Sequence, residues 1–512
     1  MKNRVWRLSV ALISLCAFAA PAFAADEVPD ATAIRAKVRA AGGPIPENYR
    51  ETDETISSDG TTTIEHDYKR GENVRYTFDS GPFHTESGTY DRQDWYMNDN
   101  SQVVLDQPDP GQAVAEKTTA TVKPVRTPVE GYVIATLNAR GDGTREYVDG
   151  ATWQIVRRER ITPNGTIVTT YDDVRADHGR TFAHHYHVEN GYARTSSDIR
   201  ITEYVPDVVT AADVAIPVSR RSLVTFPAGV RSVELPTKFG QSHVYVRVMI
   251  NGRGLDFVLD SGASEITIDS RVARELGLPE YGRRSAVTAG RYTTARTIVP
   301  EMRIGSLVMR DVAMQEVPHG WNVDPSVKAV GLLGFDFLAE LGVTIDYENE
   351  RVTVVPEPSY VPPTDKHTIP LDVRVGSGTP MVSVSVNGAV GERWVLDTGG
   401  AGTFMIFDYF ARRYPEALRD QGGGGDARQT ELYGIGGTID ARPYQIASLR
   451  LANLNFTRFV GFRVTGRNSY AESDDGVVGT DFLRLFTLGF DYGNSRVYLT
   501  PNKSGRAAMG IK

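Results

Sequence analysis

The sequence predicts an all-β protein in which two similar halves follow a β-rich N-terminal domain, and three observations lead to this fold class. Two stretches, 244–252 and 382–388, place apolar residues at every second position and end in Asn-Gly, which is typical of a strand entering a hairpin turn. Each stretch precedes an Asp-Ser/Thr-Gly triplet, at 260–262 and 397–399. Each triplet is followed later by two apolar residues and a glycine.

The matching motifs keep a nearly constant separation along the chain. Asn251 and Asn387 are 136 positions apart (387 − 251), and Asp260 and Asp397 are 137 apart (397 − 260). The separation grows to 145 (491 − 346) at two later Asp-Tyr pairs. A repeated unit explains this spacing, so we expect the second half to be a copy that gained residues after its aspartate.

Residues 1–24 predict a secretory signal peptide. Basic residues within 2–7 precede an apolar run at 8–20, and the small residues of 22–24 offer a cleavage site. We therefore expect export to the bacterial periplasm, or secretion beyond it. Cys16 is the only cysteine and lies in this segment, so we expect no disulfide in the mature chain.

Charge and hydropathy narrow the expected partners. Loss of the three basic residues in the signal segment would change the formal net charge from −8 to −11. This acidic balance disfavours nucleic acids and anionic membranes as partners. No later run reaches the roughly 18 apolar residues of a membrane span. We expect a monomer, with pairing between chains as the alternative.

Residues 26–222 are expected to form a β-rich accessory domain. A helix is predicted over 31–41, with Asp30 as its N-cap and Gly42 just after its end. Strands follow, and Pro-Asn-Gly at 163–165 predicts one of their hairpin turns.

The helix and the antiparallel strands of this domain resemble the half-open barrels of periplasmic lipoprotein carriers. That resemblance implies an apolar ligand or a protein partner, and a pro-region that covers the active-site cleft is the alternative. Three histidines, His184, His185 and His187, raise the question of a metal site. Only two of them would share a strand face and no third ligand has motif spacing, so a solvent-facing strand is favoured.

Asp260 and Asp397 are the candidate catalytic residues, because each follows an apolar run that predicts a buried strand. One triplet alone is weak evidence. Asp79-Ser80-Gly81 has the same letters in a polar setting that predicts an ordinary turn. Only the repeat that surrounds the other two triplets distinguishes them from this one.

The order of alternating strand, Asp-Ser/Thr-Gly, variable segment and apolar-apolar-Gly resembles half of a retropepsin-type aspartic protease, and two tandem halves resemble the bilobed plan of pepsin. The resemblance covers 228–356, which we call half 1, and 365–503, half 2. A proline-rich linker at 357–364, expected to be extended rather than helical, joins them. The resemblance implies a pseudo-dimer of two β-barrel halves with one aspartate each.

The resemblance also implies residues that support the aspartates. The hydroxyls of Ser261 and Thr398 would tie the two loops together. Four glycines would allow close backbone approaches, although each could also mark an ordinary turn or buried strand: Gly262, Gly399, Gly334 and Gly479. Gly400, where pepsin-like chains commonly have a hydroxyl, predicts a looser second loop.

Two glycine-bearing segments lie between the motifs of the halves. Residues 287–295 include Tyr292, and Tyr433 with Gly434 begins a stretch that resembles the tip of a pepsin flap. Either hairpin could cover a bound peptide, or it could be a surface hairpin without substrate contact. The glycine run at 422–425 predicts a flexible loop rather than a phosphate site.

Two facing aspartates predict a hydrolase that acts on polypeptides without a metal or cofactor. Carboxylates about 3 Å apart cannot both ionise, so the pair shares a proton and can activate water. We expect activity at about pH 5 to 7, because few hydroxyls stabilise the ionised form. The alternative is a binding protein that uses the protease fold as a scaffold for a peptide or lipid.

Overall fold

The computed structural model describes residues 28–107, 117–219, 222–319, 326–375, 378–402, 404–419, 430–465 and 473–511. The predicted signal peptide and the glycine run at 422–425 lie outside the described residues. Within the described ranges, no helix is both long and apolar enough to cross a membrane. The protein is all-β, with six short helices in its described parts.

The N-terminal region begins with helix α1 (Ala31–Gly42), which confirms the predicted helix. Asp30 caps it by accepting a hydrogen bond from the backbone N–H of Ala33 at 2.7 Å. The strands that follow are β1 (Asn48–Ser57), β2 (Thr62–Arg70), β3 (Asn73–Ser80), β4 (Phe83–Tyr90), β5 (Gln93–Met97), β6 (Val103–Leu105), β7 (Thr119–Val125), β8 (Gly131–Leu137), β9 (Gly143–Asp149), β10 (Ile155–Ile161), β11 (Thr166–Asp177), β12 (Arg180–Asn190) and β13 (Thr195–Pro206).

These thirteen strands form one antiparallel sheet in which β1 pairs with both β2 and β13. Ile34 of α1 is fully buried and packs against Ile134 and Val148, so the helix covers the β8–β9 part of the sheet. His184 is buried at 3% exposure and lies 3.2 Å from Asp177, so the prediction that this part of the strand faces solvent is wrong for this histidine. The cause is the stacking of its ring on Phe182.

The elements around half 1 are β14 (Val224–Thr225), β15 (Val233–Glu234), β16 (Thr237–Phe239), β17 (Val244–Ile250), β18 (Arg253–Leu259), β19 (Thr267–Asp269), α2 (Ser270–Glu275), β20 (Tyr281–Val287), β21 (Arg291–Ile304), β22 (Leu307–Val317), β23 (Ala329–Leu333), α3 (Phe335–Leu338), β24 (Leu341–Asp346) and β25 (Arg351–Pro356). Asn251 and Gly252 both have positive φ (48° and 75°), as the predicted tight hairpin turn requires.

Half 2 contains β26 (Ile369–Asp372), β27 (Met381–Val386), β28 (Ala389–Leu396), β29 (Phe404–Ile406), α4 (Asp408–Arg413), β30 (Thr430–Gly434), β31 (Gly437–Leu451), β32 (Leu454–Thr465), β33 (Gly476–Val478), α5 (Thr480–Leu483), β34 (Phe486–Asp491), β35 (Arg496–Pro501) and the C-terminal helix α6 (Lys503–Met509). From β27 onward the elements follow the order seen from β17 in half 1. The Asn387-Gly388 turn again has positive φ at both residues (49° and 89°).

A six-stranded sheet joins the two halves in the order β15-β25-β24-β34-β35-β26. Its central contact pairs β24 with β34, with Val343 opposite Phe490 and Ile345 opposite Leu488. All four side chains are buried in the main apolar core. Half 1 and half 2 therefore share backbone hydrogen bonds and a core, which fixes the two Asp-Ser/Thr-Gly loops relative to each other.

The first residues of the linker at 357–364 are not extended, although the sequence predicts an extended conformation for the whole linker. Glu357–Ser359 forms a single 3-10 turn, so an extended conformation throughout is wrong. Pro358 lies in its first positions, where the fixed φ of proline suits a helical turn. Tyr360 then stacks on Tyr498 at a ring distance of 6.0 Å.

The N-terminal sheet docks on half 1 through the turn between β5 and β6. Asn100 donates to Asp336 at 2.9 Å and accepts from the backbone N–H of Ala313 at 2.9 Å. The turn before β13 contacts the hairpin β20–β21, where Ser285 donates to the carbonyl of Ala193 at 3.0 Å. The sheet thus contacts α3, β22 and the β20–β21 hairpin of half 1.

Candidate active site

Each candidate aspartate stands directly after a buried strand and is held by a neighbouring strand. Asp260 follows β18, and its backbone N–H donates to the carbonyl of Leu333 at 3.0 Å. Asp397 follows β28, and its N–H donates to Val478 at the same distance. In each half the supporting residue is the last of the apolar pair before the motif glycine. The two aspartates therefore have equivalent backbone positions.

Ser261 and Thr398 link the two loops by four reciprocal hydrogen bonds. Ser261 Oγ accepts from Thr398 N at 3.0 Å and donates to the carbonyl of Leu396 at 2.7 Å. Thr398 Oγ1 accepts from Ser261 N at 3.0 Å and donates to the carbonyl of Leu259 at 2.8 Å. Both side chains are 1% exposed. The hydroxyl of each loop thus bonds the backbone of the other.

Gly262 and Gly399 leave space for the facing carboxyl groups. A Cβ atom on Gly262 would lie 2.5 Å from Cγ of Asp397, and one on Gly399 would lie 2.5 Å from Oδ1 of Asp260. Real Cβ atoms do not approach other atoms so closely. Each glycine is therefore required by the aspartate of the opposite half, which shows that the structure brings the two aspartates together.

Gly334 and Gly479 lie behind the loops, where one chain segment crosses another. A Cβ on Gly334 would lie 2.5 Å from the carbonyl oxygen of Ala263, and one on Gly479 would lie 2.5 Å from that of Gly402. The following residues bond the loops directly, since Thr480 N donates to the carbonyl of Gly400 at 2.8 Å. Phe335 N makes the matching bond to Ala263 at 2.8 Å.

The second loop matches the first at the residue directly after each Ser/Thr of the motif. Gly399 N donates to Asp397 Oδ1 at 2.8 Å, just as Gly262 N donates to Asp260 Oδ1 at 2.8 Å. Gly400 is needed for space, because its Cβ would lie 2.6 Å from Asp397 Oδ2.

The electrostatics of the pair favour a shared proton. Burial raises the pKa of both aspartates, and the charge of Asp397 raises the pKa of Asp260 further. A hydrogen bond from Asp260 partly offsets the rise for Asp397. The carboxyl groups are thus in direct contact and titrate as one unit. In the described part of the chain, no cluster of His, Cys, Asp or Glu has the geometry to hold a metal ion.

His243 joins the site without any signal in the sequence. Its side chain is 3% exposed, and Nε2 lies 2.9 Å from the carbonyl oxygen of Gly399, so half 1 reaches the second loop. Its charge would lower the pKa of Asp397. His243 lies in the turn before β17 and belongs to none of the repeated motifs, which is why the motif analysis missed it.

The two predicted covers are both hairpins, and their tips meet. Thr288 of the β20–β21 turn donates to the carbonyl of Ile435 in the β30–β31 turn at 2.6 Å. Tyr292 and Tyr433 line a cavity of about 720 Å³ beside this contact, and the lining includes neither aspartate. Tyr433 is 72% exposed, whereas Gly434 lies against Ala289 of the first tip.

One region of the chain matches a known protein family. Residues 246–337 match the model of a family described as aspartyl protease, so this region is aspartyl-protease-like. The match contains Asp260, and Asp397 lies outside it. The search of curated proteins returned no match.

Several solved structures are similar at low identity. A LolA superfamily protein from Nitrosomonas europaea is 11% identical over 37% of this chain and 98% of that chain, with a TM-score of 0.29. Conglutin gamma from lupine seeds is 11% identical over 53% and 95%, and basic 7S globulin from soybean is 10% identical over 55% and 97%, both with a TM-score of 0.31.

Proposed function

We propose that this protein is an exported aspartic endopeptidase that hydrolyses peptide bonds with a water molecule activated between Asp260 and Asp397. The observation that carries the proposal is the contact of two buried carboxyl groups, each on a loop locked to the other by Ser261 and Thr398. Such rigidity suits catalysis, because the reacting groups are positioned before the substrate arrives. The aspartyl-protease-like region supports the same class.

In the proposed mechanism the ionised member of the pair takes a proton from water, and the water oxygen attacks the peptide carbonyl carbon. The protonated member donates to the carbonyl oxygen as negative charge develops there. As the C–N bond of the tetrahedral intermediate breaks, the aspartate that took the water proton passes it to the leaving nitrogen. The other aspartate recovers its proton from a hydroxyl of the intermediate, so the pair again holds one proton. The proton belongs to the pair, because burial raises the pKa of both carboxyl groups and the two side chains hydrogen-bond to each other.

The domain organisation forms part of the proposal. The repeated motifs and the shared six-stranded sheet support a duplicated, bilobed pseudo-dimer within one monomeric chain. The predicted signal segment supports a periplasmic location. The hairpins carrying Tyr292 and Tyr433 would open to admit an extended polypeptide and close over it, with their glycine-bearing tips absorbing the motion. Their present contact through Thr288 corresponds to the closed arrangement.

The alternative is a binding protein in which the same fold holds a peptide while residues 26–222 carry an apolar ligand. A cleavage assay on an unfolded protein substrate separates the two, with Asp260→Asn beside the parent. Asp79→Asn is the matched control, because it alters the same triplet on the N-terminal sheet, away from the site. The proposal expects cleavage by the parent and the control only. A parent that binds peptide but cuts nothing at any pH would establish the binding function instead.

A further inference from the structure

One face of the N-terminal sheet carries four carboxylates on two neighbouring strands. In the register of β1 and β2, Glu51 stands opposite Asp67 and Asp53 stands opposite Glu65. Because side chains alternate along a strand, all four lie on the same face. We call this face the acidic trough. Like charges placed directly opposite each other are unfavourable, so the arrangement costs stability unless it has a use.

Aromatic and hydroxyl side chains continue this face across three more strands. Tyr76 of β3 stands opposite Asp67, and Ser87 of β4 stands opposite Tyr76. Tyr96 of β5 stands opposite Ser87. With strands about 4.8 Å apart, the face from β1 to β5 is roughly 19 Å wide. The acidic trough is therefore the charged end of one extended surface.

The other end of this surface is closed by half 1. A cavity of about 290 Å³ lies between the N-terminal sheet and half 1, and the sheet lines it with Phe78, Ser87 and Tyr96. Glu265 and Asp336 line the opposite side. Half 1 thus adds two carboxyl groups to the cavity, and its Arg296 pairs with Asp99 of the lining at 3.1 Å. The volume is near the lower limit of ligand pockets, about 300 Å³.

Asp53 gives independent evidence that the trough lacks its partner. The residue is only 8% exposed, and its buried Oδ1 atom has no hydrogen-bond partner among the described residues. Oδ1 of Asp67 also has no partner, whereas the Asp67 side chain as a whole hydrogen-bonds to that of Glu65. A buried carboxylate oxygen without a donor is costly, and buried polar atoms are nearly always satisfied in folded proteins. Oδ1 of Asp53 therefore lacks a hydrogen-bond donor within the described chain.

Arg180 of β12 and Lys69 of β2 are cations of the same sheet, and the buried Nε of Arg180 has no hydrogen-bond partner among the described residues. Arg180 lies over the ring of Tyr204 at 5.3 Å and donates to its hydroxyl at 3.2 Å. Lys69 donates to the carbonyl of Gly71. Arg180 lowers the pKa of Glu51 only as the weakest of three influences.

We propose that the acidic trough binds an organic cation on a flexible apolar stem, the chemistry shared by a lysine side chain of a polypeptide and a free polyamine. The ammonium group would donate to Asp53 and Asp67, and the stem would lie along the tyrosines toward the cavity. Carboxylates supply the charge, and aromatic faces attract a cation within about 6 Å. The proposal does not depend on protease activity, and it gives the N-terminal domain a ligand with a charged end.

Titration supports this geometry. Burial, followed by neighbouring carboxylates, raises the pKa of Glu51, Asp53 and Asp67 to about 7. A bound cation favours the ionised forms, so binding should strengthen as the pH rises through this value. The charge of Arg180 opposes the rise for Glu51, and it is the smallest of the three influences on that carboxyl.

The test is a binding titration of the full chain carrying Asp260→Asn, which removes the proposed cleavage activity. Pentalysine and spermidine are the probes, at pH 6 and pH 8, by calorimetry. We expect binding that weakens about tenfold or more in an Asp53→Asn, Asp67→Asn double variant, which corresponds to roughly 1.4 kcal/mol. Glu54→Gln is the matched control, because Glu54 lies on the opposite face of β1 and should change the affinity less than twofold.

The outcomes distinguish the two sources of the organic cation from each other and from a metal ion. Tighter binding of pentalysine identifies a polypeptide ligand, and equal or tighter binding of spermidine identifies a free amine. Failure of both probes to bind, or equal affinity in the parent and the double variant, would overturn the proposal. Displacement of both probes by an equal concentration of Ca²⁺ would also overturn it in favour of a metal site. Thermal unfolding checks the fold, since Asp53→Asn should raise the melting temperature by removing a buried, unpaired charge.

Discussion

Replacing Thr398 by valine should destabilise the two halves far more than its small change in shape suggests. Valine keeps the volume but loses the hydroxyl, which accepts from Ser261 N and donates to the carbonyl of Leu259. Both bonds are buried, so two backbone groups in half 1 lose a partner that water cannot replace. At about 1–3 kcal/mol for each group, the free energy of unfolding should fall by about 2–6 kcal/mol.

Urea unfolding measures this loss, and Thr398→Ser is the matched control. Serine keeps the hydroxyl and removes only a methyl group, which should cost about 1 kcal/mol. The reasoning predicts that valine is the more damaging change, although it is the closer match in shape. If Thr398→Val were as stable as the parent, or more stable than Thr398→Ser, the four interlocking hydrogen bonds would not hold the halves together as described.

Three further predictions follow from the site and the N-terminal sheet. The raised pKa of the Asp260–Asp397 pair predicts a cleavage rate that peaks at about pH 5 to 7, and a peak below about pH 3.5 would contradict it. Gly400→Ala should lower kcat at least tenfold, because its Cβ would lie 2.6 Å from Asp397 Oδ2; an unchanged kcat would refute this steric argument. The pKa of Asp53 is about 7 in the folded chain and near 4 in the unfolded chain. Asp53 therefore stabilises the folded state below pH 4, and this stabilisation is lost as the pH rises toward 7. The melting temperature should therefore fall over that range, and less steeply in Asp53→Asn; equal slopes would be the contrary result.

Local sequence patterns were sufficient to predict the structure where neighbouring residues alone determine it. The Asn251-Gly252 turn was predictable because few residues accept two successive positive φ angles. The N-cap at Asp30 was predictable for a similar reason, since its carboxylate satisfies a backbone donor only three positions away. The catalytic candidates were found because a repeated motif marks them twice.

Contacts between distant segments were not predictable in this way. His243 reaches Gly399 across 156 positions, and no local pattern encodes such a contact. The need for glycine at position 400 follows from the carboxylate beside it, which only the folded loop reveals. The docking of Asn100 on Asp336 depends on how two sheets meet, and the alternation within either strand says nothing about it.

The cleavage rate of Asp397→Asn tests the central claim most directly, because Asp397 lies outside the aspartyl-protease-like match and its role depends on the paired geometry. The substitution keeps the size of the side chain while removing its ability to ionise. If the two aspartates share one catalytic proton, kcat/KM on an unfolded protein substrate should fall at least about a hundredfold. A variant that cleaves as fast as the parent would show that the second loop takes no part in the chemistry.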